Sequence, residues 1–193
     1  QIAKSGKKIL FVATKKQAKT IIAEAAESLN MPYITERWPG GLLTNFATIR
    51  KSIKKMQTID KMKEDGTFDT LSKRERLQID RQRAKLELNL GSIVKMTRMP
   101  AAIFVVDTNK ERISVAEANH LGIRTFAMTD TNTNPKLINF PIPSNDDAAK
   151  SIECIVSILK NAIAEGLEER GAEQAIKDKE KKEKAKQISE EKE

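Results

Sequence analysis

The sequence predicts an α/β domain: a mainly parallel sheet flanked by helices, with an antiparallel helical hairpin inserted between strands. Three observations carry this expectation. Short, largely apolar runs at 8–14 and 100–107 read as strands buried on both faces, and 124–130 reads as a further strand. Helical apolar spacing follows the first two of them, and strands alternating with helices build a parallel sheet through right-handed crossovers in a Rossmann/flavodoxin-like layering. Between 43 and 97 the period is helical on both sides of a single turn, which predicts two long helices packed as a hairpin.

Taken in order, Ile9, Leu10, Phe11 and Val12 open the first strand. Ala18, Ile21, Ile22, Ala25 and Ala26 give the apolar face of a helix over 15–29. A second short strand is expected over 31–36. Arg37-Trp38-Pro39-Gly40-Gly41 follows, holding the single Trp and the single Gly-Gly pair. Pro39 removes a backbone donor, and the glycines open backbone angles closed to other residues, so the chain turns a rigid corner here. Leu43, Phe46, Ile49, Ile53 and Met56 then recur at helical spacing, predicting a helix over 43–64. Gly66 stops it. Ser72 and Glu75 form a capping box that starts a second helix running to about residue 90. Later, 111–121 reads as a helix stopped by Gly122, and Pro141 and Pro143 put a fifth strand over 138–142 at an edge. Asn145, Asp146 and Asp147 offer an N-cap for a helix over 148–164. The expected divisions are 1–42 and 98–165 for the α/β domain, 43–97 for the hairpin, and 166–193 for a charged tail, helical or disordered.

The charge is lopsided. Residues 1–100 carry 21 Lys and Arg against 10 Asp and Glu, whereas 101–164 carry 6 against 7. A basic half beside a neutral half points to a polyanion touching one side, and nucleic acid is the commonest. One Cys and one His exclude a disulfide framework and a Cys/His zinc site from this chain alone; the low cysteine use fits a reducing compartment. No run approaches the roughly 20 apolar residues of a membrane span, and no signal-peptide pattern opens the chain.

Asp107 and Asp130 fall at strand ends, where ligands bind in parallel sheets. An α/β enzyme dependent on phosphate or metal and using these two is the alternative reading. Asp is ordinary there as a loop and helix cap, however. The first strand-to-helix turn, Ala13-Thr14-Lys15-Lys16-Gln17, has no glycine, so neither a dinucleotide fingerprint nor a Walker loop is present. His120 reads as a surface residue at a helix end, and Cys154 as a buried small hydrophobe. No catalytic set, metal ligand set or cofactor is assigned. The positive signal is the basic surface: Lys and Arg supply phosphate contacts, and an exposed ring can stack on a base. The candidate RNA-binding residues are Arg37, Trp38, Asn45, Arg50, Lys51, Lys54, Lys55, Arg74 and Arg81.

Five ordered blocks carry a family likeness: Gly6-Lys7-Lys8-Ile9-Leu10-Phe11-Val12 with Thr14-Lys15-Lys16-Gln17-Ala18; the 37–50 stretch RWPGGLLTNFATIR; 100–122, with Asp107, Glu111 and Glu117 in the family's spacing; Asp130-Thr131-Asn132-Thr133-Asn134-Pro135; and Ile142-Pro143-Ser144-Asn145-Asp146-Asp147-Ala148. The chain resembles the bacterial small ribosomal subunit protein two family. Pro39, Arg124, Asn134, Asn139 and Ser144 depart from its usual residues, and an N-terminal segment usual in the family is expected to be missing. The resemblance implies a structural, non-enzymatic protein of the cytoplasmic small subunit. Its implied partners are the small-subunit ribosomal RNA (16S type) and neighbouring ribosomal proteins, including the large messenger-binding protein one. It implies neither a membrane nor a homo-oligomer.

Overall fold

The computed structural model describes the backbone of residues 1–190 and the side chains through residue 175. Among the described residues five strands and five α-helices follow one another: β1 Ile9–Val12, α1 Lys16–Ser28, β2 Tyr33–Ile34, α2 Phe46–Glu64, α3 Lys73–Leu90, β3 Ala102–Val105, α4 Arg112–His120, β4 Arg124–Thr129, β5 Phe140–Pro143 and α5 Ala149–Glu190. The strands form one sheet in the order β2-β1-β3-β4-β5. Every pairing is parallel, with Phe11 opposite Tyr33 and Phe104, Phe104 opposite Phe126, and Met128 opposite Ile142. The expected α/β architecture is therefore present. The chain leaves β1 toward β2 and returns past it to β3, so the order reverses between β1 and β3.

Strand period sets the layers. Successive side chains point to opposite faces, and the two apolar clusters divide β1 and β3 between them. Ile9, Phe11, Ala13, Ala102, Phe104 and Val106 face α1 and α5, meeting Ala18, Ile22, Ala26, Ile152 and Val156. Leu10, Val12, Ile103 and Val105 face the other way, toward Trp38, Leu42, Leu43, Ile53, Val115 and Ala118. Both clusters use the same strands, so neither layer can shift without disturbing the sheet.

α2 and α3 lie side by side. Asp60 pairs with Arg83, and Lys63 with Asp80 at 2.6 Å. One number rises as the other falls, so the helices are antiparallel. The capping box at the head of α3 is formed: Ser72 Oγ accepts from the Glu75 amide, and the Ser72 amide donates to Glu75 Oε2 at 3.0 Å.

Several elements differ from their sequence-based bounds, each for a local reason. β2 is only two residues long, because Met31 still belongs to the end of α1. Asn30 takes a left-handed φ of 51° and the Met31 amide returns to the Ala26 carbonyl at 2.9 Å. α2 begins at Phe46 instead of Leu43, because Asn45 takes non-helical angles, φ −124° and ψ 47°. β5 begins at Phe140, after Asn139 has used its Oδ1 on the Thr125 amide and hydroxyl; it is the edge strand that its prolines require.

α5 runs to Glu190, far beyond the expected end near 164. Gly166 does not stop it. This glycine is buried, and a Cβ there would lie 3.2 Å from that of Ala3, so it lets the helix pass close to the N-terminal turn. Lys4 extends the contact by pairing with Glu169 at 3.2 Å and Glu173 at 2.9 Å. Of the charged tail expected over 166–193, residues 191–193 and all side chains from 176 onward lie outside the described residues. Cys154 is exposed, correcting its reading as a core residue. It lies two positions from both Ile152 and Val156, and two helical steps turn a side chain by about 200°. Ile158 is likewise on the outer face, 61% exposed. Among the described residues no helix is long and apolar enough to cross a membrane.

Ile53 joins α2 to the sheet and is 1% exposed. Replacing it with Ala is expected to lower the unfolding free energy by about 2–5 kcal/mol, the usual cost of a core cavity, measured by urea denaturation.

Candidate nucleic-acid interface

The corner between β2 and α2 is built on one carboxylate. Glu117 sits on α4, 8% exposed. Its Oε1 accepts from Trp38 Nε1 at 3.1 Å and from the Gly41 amide at 2.7 Å. Its Oε2 accepts from the Leu43 amide at 2.9 Å, the Thr44 amide at 3.1 Å and the Thr44 hydroxyl at 3.2 Å. Gly41 supplies the left-handed φ of 82° that aims these amides inward. Leu42 and Leu43 fill the core beneath. Burial pushes the Glu117 carboxyl up, but the Trp38 and backbone donors outweigh burial and hold it below the usual carboxylate range.

This arrangement corrects one candidate. Trp38 is 7% exposed, with its ring in the core and its N–H on Glu117; it cannot stack on a base and serves as a strut. Arg50 is half-buried, and its Nη1 donates to the Met96 carbonyl at 3.2 Å, tying α2 to the segment after α3. Arg37, Asn45, Lys51, Lys54, Lys55, Arg74 and Arg81 are exposed. Asn45 stands at the N-cap of α2, but its side chain makes no capping bond. Ile53, Met56 and Ile59 define the buried face of α2, and at 100° per residue Lys51, Lys54 and Lys55 fall on the opposite side.

Some basic side chains of the corner and the two helices are engaged by carboxylates, and others are not. Lys63, Arg76 and Arg83 are engaged by Asp80, Asp69, and Asp60 with Glu87. Arg37, Lys51, Lys54, Lys55, Arg74 and Arg81 make no ion pair among the described residues. The antiparallel pairing puts Arg81 near the level of position 62, about 12 Å along the axis from Lys54 at 1.5 Å per residue. The unpaired cations are thus spread along the helices instead of gathered at one point, which suits an extended anion better than a single phosphate.

A second node lies at the C-terminal ends of the strands. Lys15, after β1, pairs with Asp146 at 2.7 Å, Asp147 at 2.5 Å and Asp107 at 3.4 Å. Burial pulls the Lys15 ammonium down, and the hydrogen bonds to these carboxylates more than reverse it, holding it above the ordinary lysine value. Thr14 donates to Glu111. Asp107 accepts from the Lys110 amide at 3.0 Å and Asp130 from the Thr131 amide at 2.7 Å, so both act as loop caps. Sequence reasoning did not assign Lys15, Asp146 or the role of Glu117. Only the family spacing singled out Glu117, because a carboxylate between Val115 and Ala118 has no distinctive local pattern.

Comparison with known proteins settles the family. The family model described as ribosomal protein S2 matches residues 1–166. The chain belongs to the ribosomal protein S2 family. It is 64% identical over 176 residues to the small ribosomal subunit protein uS2 of Flavobacterium johnsoniae, covering 91% of this chain and 69% of that one. It is 66% identical over 173 residues to uS2 of Phocaeicola vulgatus, covering 90% and 62%. Against uS2 of Porphyromonas gingivalis it is 68% identical over 172 residues, covering 89% and 61%. The chain therefore spans roughly two thirds of the length of the curated relatives it matches.

Replacing Glu117 with Gln puts an N–H₂ group among five donors. The unfolding free energy at pH 7 is expected to fall by about 2–3 kcal/mol, since hydrogen bonds to a charged group are at stake. The folded Glu117 carboxyl titrates below its ordinary 4.5. Its contribution is therefore complete above that value and is lost as pH falls through the lowered one. The gap between native and E117Q proteins in urea should be widest at neutral pH and narrow in acid.

Proposed function

We propose that this chain is a structural constituent of the small ribosomal subunit. It binds the small-subunit ribosomal RNA through the exposed basic side chains of the corner and of α2 and α3, supporting translation in the cytoplasm. The observation that carries this reading is the set of unpaired cations, Arg37, Lys51, Lys54, Lys55, Arg74 and Arg81, on a member of the ribosomal protein S2 family. Lys and Arg left without carboxylate partners along two antiparallel helices form the electrostatic footprint of a polyanion. In this reading the corner and the helix pair act as one arm, with Glu117 and Trp38 setting its direction and Asn45 adding a neutral donor and acceptor at its root. Arg50 acts mainly as the brace that it makes to Met96.

Neighbouring ribosomal proteins complete the setting, with the large messenger-binding protein one among them and no second copy of this chain. Catalysis is no part of the reading. The alternative, an enzyme using Asp107 and Asp130, has little support, because Asp107 is held by the Lys15 ammonium and the Lys110 amide.

The chain is expected to co-sediment with small subunits at low salt. Changing Lys51, Lys54 and Lys55 together to Gln should weaken binding to small-subunit RNA. It should also reduce the slope of log K against log salt by about one unit for each phosphate that these lysines neutralise. A slope equal to that of the native chain would show these lysines to be merely solvated.

A further inference from the structure

We propose that the loops after β4 and β5 hold one hard divalent cation, of the Mg²⁺, Mn²⁺ or Ca²⁺ class, between the carboxylates of Asp130, Asp146 and Asp147. One ligand oxygen from each of these residues lies within 4.8 Å of the others. Such cations sit about 2.0–2.6 Å from their oxygen ligands, so oxygens spaced in this way can share one ion with little movement.

The observation that asks for a ligand is Asp146. It is 1% exposed, and its two oxygens fare differently. Oδ1 accepts from Lys15 at 2.7 Å. Oδ2 is buried with no hydrogen-bond partner among the described residues. An uncompensated buried carboxylate oxygen is costly, and its natural complement is an electropositive group on the side away from Lys15. The charge balance agrees. Asp107, Asp146 and Asp147 all pair with the ammonium of Lys15, and Asp130 lies beside Asp146, so the carboxylates outnumber it. Asp107 and Asp147 share Lys15 with Asp146, so the lysine is already spoken for.

The surroundings are pre-arranged. The Asp146 amide donates to Asp130 Oδ2 at 3.4 Å. Asn145 Oδ1 accepts from the Asp147 and Ala148 amides at 2.7 and 3.1 Å, fixing the loop that enters α5. All donors are oxygen, which selects hard cations over zinc or copper. The ion would join the end of β4 to the head of α5, so its role is structural.

The test uses the free 193-residue chain without RNA, so it stands or falls apart from the ribosomal reading. The chain is stripped with EDTA and titrated with MnCl₂, followed by the loss of free Mn²⁺ signal in electron paramagnetic resonance. One site per chain, displaced by MgCl₂ or CaCl₂ and raising the melting temperature, is expected. Asp130→Asn keeps an oxygen for the Thr131 amide and is expected to weaken Mn²⁺ binding by about tenfold or more, as removal of a charged ligand should. Asp146→Asn is expected to abolish binding; should it fail to fold, Asp130→Asn decides. Asp69→Asn, at the far end of α2 and α3, should bind as the native chain does. Absence of a saturable site, or equal affinity in native and Asp130→Asn chains, overturns the proposal.

Discussion

One carboxylate decides how the two halves of the molecule meet. Glu117 rides on α4, whose Val115 and Ala118 pack against the sheet, and it gathers five donors from a stretch more than seventy positions earlier. A carboxylate has two acceptor oxygens and no donor, so it can hold several amides only if they converge. The left-handed turn at Gly41 makes the amides converge, and the Trp38 ring fills the space behind them. α2 starts only after these amides are engaged, at Phe46. Its direction relative to the sheet therefore follows from Glu117, not from helix propensity. Arg50 adds a second brace through the Met96 carbonyl.

The strand ends carry the opposite arrangement. There a single ammonium, Lys15, meets three carboxylates, whereas along α2 and α3 several cations meet none among the described residues. The molecule thus keeps its cations unpaired where a polyanion can reach them and its carboxylates crowded at the mouth of the sheet. Exposed pairs contribute little to stability, so the pairing pattern on α2 and α3 matters more for what it leaves free than for what it joins.

Much of the fold was legible in the sequence. The runs at Ile9–Val12 and Ala102–Val105 are apolar throughout, because both faces of a parallel sheet are covered by helices. The cap at Ser72 and Glu75 was readable because it is made within four residues. The misread positions share another property. Trp38 looked like an exposed ring among basic residues, yet its N–H found a partner on α4. Cys154 looked like core because it stands between Ile152 and Val156, and only the docking of α5 on α1 chose the buried face. The helix was expected to end near 164, yet α5 continues through Gly166, the point where it passes Ala3.

The sequence by itself determined the alternation of strands and helices, the basic character of α2 and α3, and the presence of a rigid corner between β2 and α2. Those are local properties, fixed by period, charge and the backbone freedom of glycine and proline. Only the tertiary structure decided which side of each helix is buried, which cations are paired, and what the corner is fastened to. Each of those depends on groups far apart in the chain, and no local pattern records that Glu117 would meet Trp38 or that Lys15 would meet Asp146.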